Sequence, residues 1–129
     1  MNNLGGAWRD LGDARQAVSS YERALAIREQ IYQETPNHPD IASILRNLGI
    51  AWRVLGDARQ AVSFYQRALA IYEQVYKETP NHPDVANTLN NLGNAWRALG
   101  DARQAVSFYQ RALAIKEQEI GRASCRERV

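Results

Sequence analysis

The chain has 129 residues, 45% of them hydrophobic, with a single cysteine and a formal net charge of +2. That length suffices for one small domain or a few repeats, and one cysteine excludes an internal disulfide framework. The charge sits at one end: residues 120–129 carry Arg122, Arg126 and Arg128 against Glu127, which leaves residues 1–119 balanced. A neutral body without a basic run argues against nucleic acid and anionic membranes, and no stretch approaches the ~20 apolar residues of a membrane span.

From the start of the chain, Met1 to Gly6 has neither the basic nor the apolar region of a signal peptide. The single cysteine fits a reducing cytoplasm, which is the expected location. Helices are predicted over 2–11 and 14–34. The unit they form then recurs: Trp8, Trp52 and Trp96 stand 44 residues apart, as do Tyr21, Tyr65 and Tyr109. Repetition at such a period is the signature of a stacked array. The copies run 1–44, 45–88 and 89–119. Met1 stands where the later copies have Leu45 and Leu89. The first copy is thus expected to lack the front of its first helix, as a reading frame begun at an internal start codon would.

The second copy predicts helices over 39–55 and 58–78. Pro39 suits a first helical turn, and Asp40 suits the positive helix end. Ile41, Leu45, Leu48, Trp52 and Leu55 then place an apolar stripe on one face. Gly56 ends the helix. Asp57 caps the next one, with Gln60 as its capping-box partner. That second helix carries Ala61, Tyr65, Ala68, Tyr72 and Val75 at the same spacing. Thr79-Pro80-Asn81-His82-Pro83 breaks the pattern, and the third copy predicts helices over 83–99 and 102–119. No β alternation occurs. The fold class is all-α: three helical hairpins, the first truncated, stacked as an α–α superhelix because one hairpin cannot bury both faces of its helices. Gly49 and Gly93 recur in mid-helix, where glycine costs ~1 kcal/mol against alanine. Their recurrence predicts a steric need. Trp8, Trp52 and Trp96 belong to the core stripe. Phe64 and Phe108 correspond to Ser20 and are less constrained.

Asn91-Leu92-Gly93-Asn94-Ala95-Trp96-Arg97-Ala98-Leu99-Gly100-Asp101, followed by Ala105, Tyr109 and Ala112, closely resembles the tetratricopeptide-repeat motif. The longer period and the Asn-His-Pro-Asp linker are similar to the kinesin light chain type. The resemblance implies a right-handed superhelix whose concave groove is lined mainly by first helices. It implies peptide or protein binding, with no catalysis and no cofactor. Ile120 to Val129 breaks the repeat abruptly. This decapeptide resembles the translation of a sequencing adapter, ATC GGA AGA GCG TCG TGT AGG GAA AGA GTG, and is expected to be a non-native tail. The parent protein is then expected to be longer in both directions.

His38-Pro39-Asp40 and His82-Pro83-Asp84 contain the tripeptide that J-domain proteins use on a chaperone ATPase. Here the tripeptide recurs with the period between copies and reads as a linker. The two histidines lack the clustered partners of a zinc site, and Cys125 lies in the suspected tail without an evident base. The binding residues should instead lie opposite the apolar stripe of each first helix. Successive residues turn ~100°, which puts Arg46, Ile50 and Val54 on that face of the second copy, with Asn47 and Arg53 on its flanks. The second and third copies differ there at Arg46/Asn90, Ile50/Asn94 and Val54/Ala98. Asn3, Asn47 and Asn91 are similar to the asparagine series that kinesin light chain repeats use on a peptide backbone. An amide both donates and accepts, which suits a main chain. Arg9, Arg53 and Arg97 favour acidic side chains, although Arg53 is equally placed to pair with Asp57. Asn2 and Gly6 lack the basic residue of a chaperone-tail carboxylate clamp. The candidate groove is therefore Asn3, Arg9, Arg46, Asn47, Ile50, Arg53, Asn90, Asn91, Asn94 and Arg97. The leading reading is a protein-interaction scaffold, possessing array ends able to self-associate. The alternative is the sensor segment of a larger signalling NTPase or protease whose catalytic domain lies elsewhere. Helical-repeat RNA recognition is disfavoured by the neutral body.

Overall fold

A computed structural model describes the backbone of residues 3–128 and the side chains of residues 11–118. Within those bounds the chain is helical, with no strand. The helices are α1 (Asn3–Ile31), α2 (Pro39–Val54), α3 (Ala58–Val75), α4 (Pro83–Ala98) and α5 (Ala102–Arg128). Each helix packs against the next, and α2 also touches α4. Consecutive antiparallel pairs therefore stack as an all-α superhelical repeat.

The helix boundaries follow from local chemistry. Pro39 and Pro83 occupy first turns, where a missing N–H costs no hydrogen bond. The caps ahead of them are His38 and His82, whose Nδ1 atoms accept from the backbone N–H of Asp40 and Asp84 at 3.1 Å. At the other end, Gly56 and Gly100 take φ of 87° and 83°. Each turn closes with two reversed bonds: Gly56 N to Arg53 O and Asp57 N to Trp52 O, repeated at Gly100 and Asp101. Asp57 Oδ1 then accepts from Gln60 N at 3.1 Å. The backbone N–H of Asp57 is already given to Trp52, so Gln60 has no reciprocal capping-box bond to make.

Two elements differ from the sequence expectation. Residues 3–31 form one helix, where two were predicted with a turn at Leu11-Gly12-Asp13. Gly12 does not take the left-handed conformation of Gly56 and Gly100. The turn at Gly56 comes with α2 lying along α3, whereas at Gly12 the helical hydrogen bonding simply continues. The second difference is α5, which runs on to Arg128 through the segment expected to be foreign.

The core lies between α2, α3 and α4. Leu45, Leu48, Leu89 and Leu92 are fully buried, each worth about 1.5–3 kcal/mol relative to exposure. Tyr65 and Tyr72 are buried with them. The glycine expectation holds. A Cβ on Gly49 would stand 2.5 Å from Tyr65 Cε1, and one on Gly93 would stand 2.5 Å from Tyr109 Cε1. In the second and third repeats the tyrosine ring of the second helix thus packs directly against the glycine of its own first helix. Trp52 and Trp96 are half-buried against the same core.

Candidate functional site

The first helices of the second and third repeats carry the predicted surface. On α2 it comprises Arg46, Asn47, Ile50 and Arg53, and on α4 Asn90, Asn91, Asn94 and Arg97, spaced three and four apart along one helix side. α2 also touches α4, where Arg46 of the first row comes close to the head of α4. Arg53 and Arg97 are exposed, while the other six are half-buried. Asn3 and Arg9 lie outside the described side chains.

These residues are not equivalent once placed. Arg46 Nη1 lies 3.9 Å from Asp84 Oδ1 at the head of α4, so it is already held by a neighbour. Asn94 Oδ1 accepts the hydroxyl of Tyr109. Ile50 occupies the matching place in the second repeat and packs against the core. Tyr65, facing it, has a buried hydroxyl with no partner among the described residues. Burial pushes the Tyr65 pKa above its usual value, with Arg53 opposing. Arg53 makes no ion pair with Asp57, whose carboxylate caps α3 instead. Asn47, Asn90 and Asn91 have no side-chain hydrogen bond among the described residues, so their amides are available.

A groove of about 350 Å³ opens beside this face. One wall is Asn47, Ile50, Ala51 and Val54 of α2; the other is Asp13, Ala14, Ala17 and Tyr21 of α1. The α1 wall was missed in the sequence. Its signal is the equivalence of Ala17 and Tyr21 to Ala61 and Tyr65, which places them beside a first helix.

The His-Pro-Asp linkers form a repeated clasp. Tyr32 stacks on His38 with centroids 3.8 Å apart, and Tyr76 on His82 at 3.7 Å. The Tyr32 hydroxyl donates to Asp40 Oδ2 at 2.9 Å and the Tyr76 hydroxyl to Asp84 Oδ2 at 3.1 Å. The bond to Asp40 raises the Tyr32 pKa; burial and then the bond to Asp84 raise that of Tyr76. Each linker is thus locked to the helix before and the helix after it. Among the described residues no group of three His, Cys, Asp or Glu is placed to hold a metal.

The tetratricopeptide-repeat model matches residues 1–74 and 74–118. The chain belongs to the tetratricopeptide-repeat family. The crystal structure of BtubC (BKLC) from P. vanneervenii superimposes with a TM-score of 0.75 at 30% identity, over 93% of this chain and 46% of that one. The kinesin light chain-like character seen in the linker thus agrees with a solved relative, of whose length this tetratricopeptide-repeat chain spans about half. No curated protein matches it in sequence. Repeats of this family are in general protein-interaction modules without chemistry of their own. No described helix is long and apolar enough to cross a membrane.

Proposed function

We propose that this chain is a scaffold that holds an extended peptide, or an extended segment of a partner protein, against the first-helix face of α2 and α4. The observation that carries the reading is the pair Asn47 and Asn91. They stand one repeat apart, half-buried, with side-chain amides that no described neighbour engages. Each amide presents one donor and one acceptor to a ligand main chain. Beside them Arg53 and Arg97 are exposed and have no carboxylate partner among the described residues, which favours acidic side chains in the ligand.

A peptide-library screen tests this. Binders should favour acidic residues and should lose most of their affinity to Asn47→Ala combined with Asn91→Ala. Charge reversal at Arg53 and Arg97 should abolish the acidic preference and leave the main-chain contribution. Binders that bind the asparagine double variant undiminished, or that map to the convex face, would show the proposal wrong.

A further inference from the structure

We infer that the groove between α1 and α2 is the seat of a first helix, and that residues 3–11 of a second copy of this chain fill it by exchange. The repeat itself identifies the occupant. In the second repeat, Ala61 and Tyr65 are fully buried beneath α2, with the Tyr65 ring lying on Gly49. Their equivalents Ala17 and Tyr21 line the open groove and are only half-buried. What covers Ala61 and Tyr65 is the sequence Leu48-Gly49-Ile50-Ala51-Trp52-Arg53-Val54-Leu55. The chain carries two further versions of it: Leu92 to Leu99, already seated with Gly93 against Tyr109 of its own repeat, and Leu4-Gly5-Gly6-Ala7-Trp8-Arg9-Asp10-Leu11, which is left to fill the groove. Gly5 is to Tyr21 as Gly49 is to Tyr65, and the ring-on-glycine contact is the lock the groove lacks.

The continuous α1 decides which copy supplies the helix. A segment closing its own groove would need a reversed turn at Gly12, with the left-handed φ of Gly56 and Gly100. Gly12 is helical instead, and α1 runs straight through it. The helix thereby continues residues 3–11 along the axis of α1 and does not turn them back beside it. Exchange of this segment between two copies recovers every contact of a closed hairpin while keeping the helical hydrogen bonds at the hinge, which is how an open hinge leads to a swapped dimer. The interface is isologous: each copy gives a helix and receives one. If the peptide reading is also right, exchange sets Asn3 and Arg9 in register with Asn47 and Arg53, but the dimer stands without it.

Light scattering and disulfide trapping of the full chain, with Cys125→Ser as background and no peptide present, test the inference. Concentrated protein should be a dimer. Gly5→Leu should weaken it by roughly tenfold or more, because the added side chain meets the Tyr21 ring, and should leave the melting of the dilute monomer unchanged. Mixing one chain carrying Gly5→Cys with another carrying Tyr21→Cys should give a disulfide between copies under mild oxidation. A monomer at all concentrations overturns the proposal. So does a double Gly5→Cys, Tyr21→Cys chain that closes only on itself, since the segment then folds back into its own groove. A dimer indifferent to Gly5→Leu that traps no intercopy disulfide overturns it as well, because copies then meet elsewhere.

Discussion

Residues 45–74 and 89–118 differ only at Arg46/Asn90, Ile50/Asn94, Val54/Ala98 and Tyr72/Lys116, and they fold into the same helix pair. Their second helices nevertheless have different surroundings. Val62 and Leu69 on α3 are 7% exposed because α4 covers them; Val106 and Leu113 on α5 are 51% and 56% exposed. Burial in this molecule is therefore set by the adjoining unit and not by the side chain's own helix, as expected where stability is a sum of unit and interface terms. The largest test of that contrast is a matched pair. Leu69→Ala should cost about 2–5 kcal/mol as a core truncation. Leu113→Ala, the same change at the same repeat position, should stay within about 0.5 kcal/mol as a surface change. Chemical denaturation of the two variants measures the difference; equal losses would mean that α5 is covered in solution.

A second pair probes the glycines. Alanine is favoured over glycine in a helix by about 1 kcal/mol, but a Cβ at either site meets a ring at 2.5 Å, and overpacking costs about 1–3 kcal/mol. Which term wins depends on whether the ring can move. Tyr65 is fully enclosed, whereas Tyr109 is half-buried and can shift toward solvent. Gly49→Ala should thus destabilise by about 1–2 kcal/mol net, and Gly93→Ala by clearly less. A reversed order would place the freer ring in the second repeat.

The third pair turns on a single hydroxyl. Tyr109 donates to Asn94, and Tyr65, which has Ile50 where that asparagine would be, has no partner among the described residues. Tyr109→Phe should cost about 1 kcal/mol, the usual net worth of a hydrogen bond, while Tyr65→Phe should be neutral or stabilising. The raised Tyr65 pKa adds a pH signature. A folded-state value above the unfolded one favours the protonated form, so this contribution is complete below about pH 10 and is lost as pH rises through the folded value. Tyr65→Phe should therefore flatten the alkaline decline in stability, and an unchanged decline would assign it to other tyrosines.

The fold was legible because its determinants are local and repeated. The 44-residue period, Pro39 and Pro83 at first turns, and Gly56 and Gly100 at reversed turns each carry a backbone reason visible in the residues. The continuity of α1 was not legible, since Leu11-Gly12-Asp13 is identical to Leu55-Gly56-Asp57; a turn made by packing cannot be read from the turn residues alone. The clasp was half legible. His-Pro-Asp announced a linker, but Tyr32 and Tyr76 are six residues from their histidines, a distance that helical periodicity does not connect. On the candidate face, an ideal helical wheel put Ile50 and Asn94 opposite the apolar stripe, as groove positions. Helices in a stack have neighbours on more than one side, and both residues lean on them.

The smallest expected effect concerns where the two second helices end. α3 stops at Val75, and Tyr76 then stacks on His82 ahead of Pro83. α5 has Ile120 where Tyr76 would be and Gly121 where Lys77 would be, with no later proline, and it continues to Arg128. What ends the long helix is thus the clasp and the proline that follow it, not anything inside the helix, because proline and a stacked ring are external stops while continued hydrogen bonding is the local default. Helical continuation through residues 120–128 therefore does not mark them as part of the repeat. Their sequence has no counterpart in either earlier copy, so no packing site for them is specified by the array. Deleting residues 120–129 should leave stability within about 0.5 kcal/mol of the full chain, with the melting temperature unchanged or slightly higher. Scanning calorimetry of the two chains decides. A clear loss on deletion would show that the segment packs on α5's neighbours, and the proposal that it is a foreign tail would fall with it.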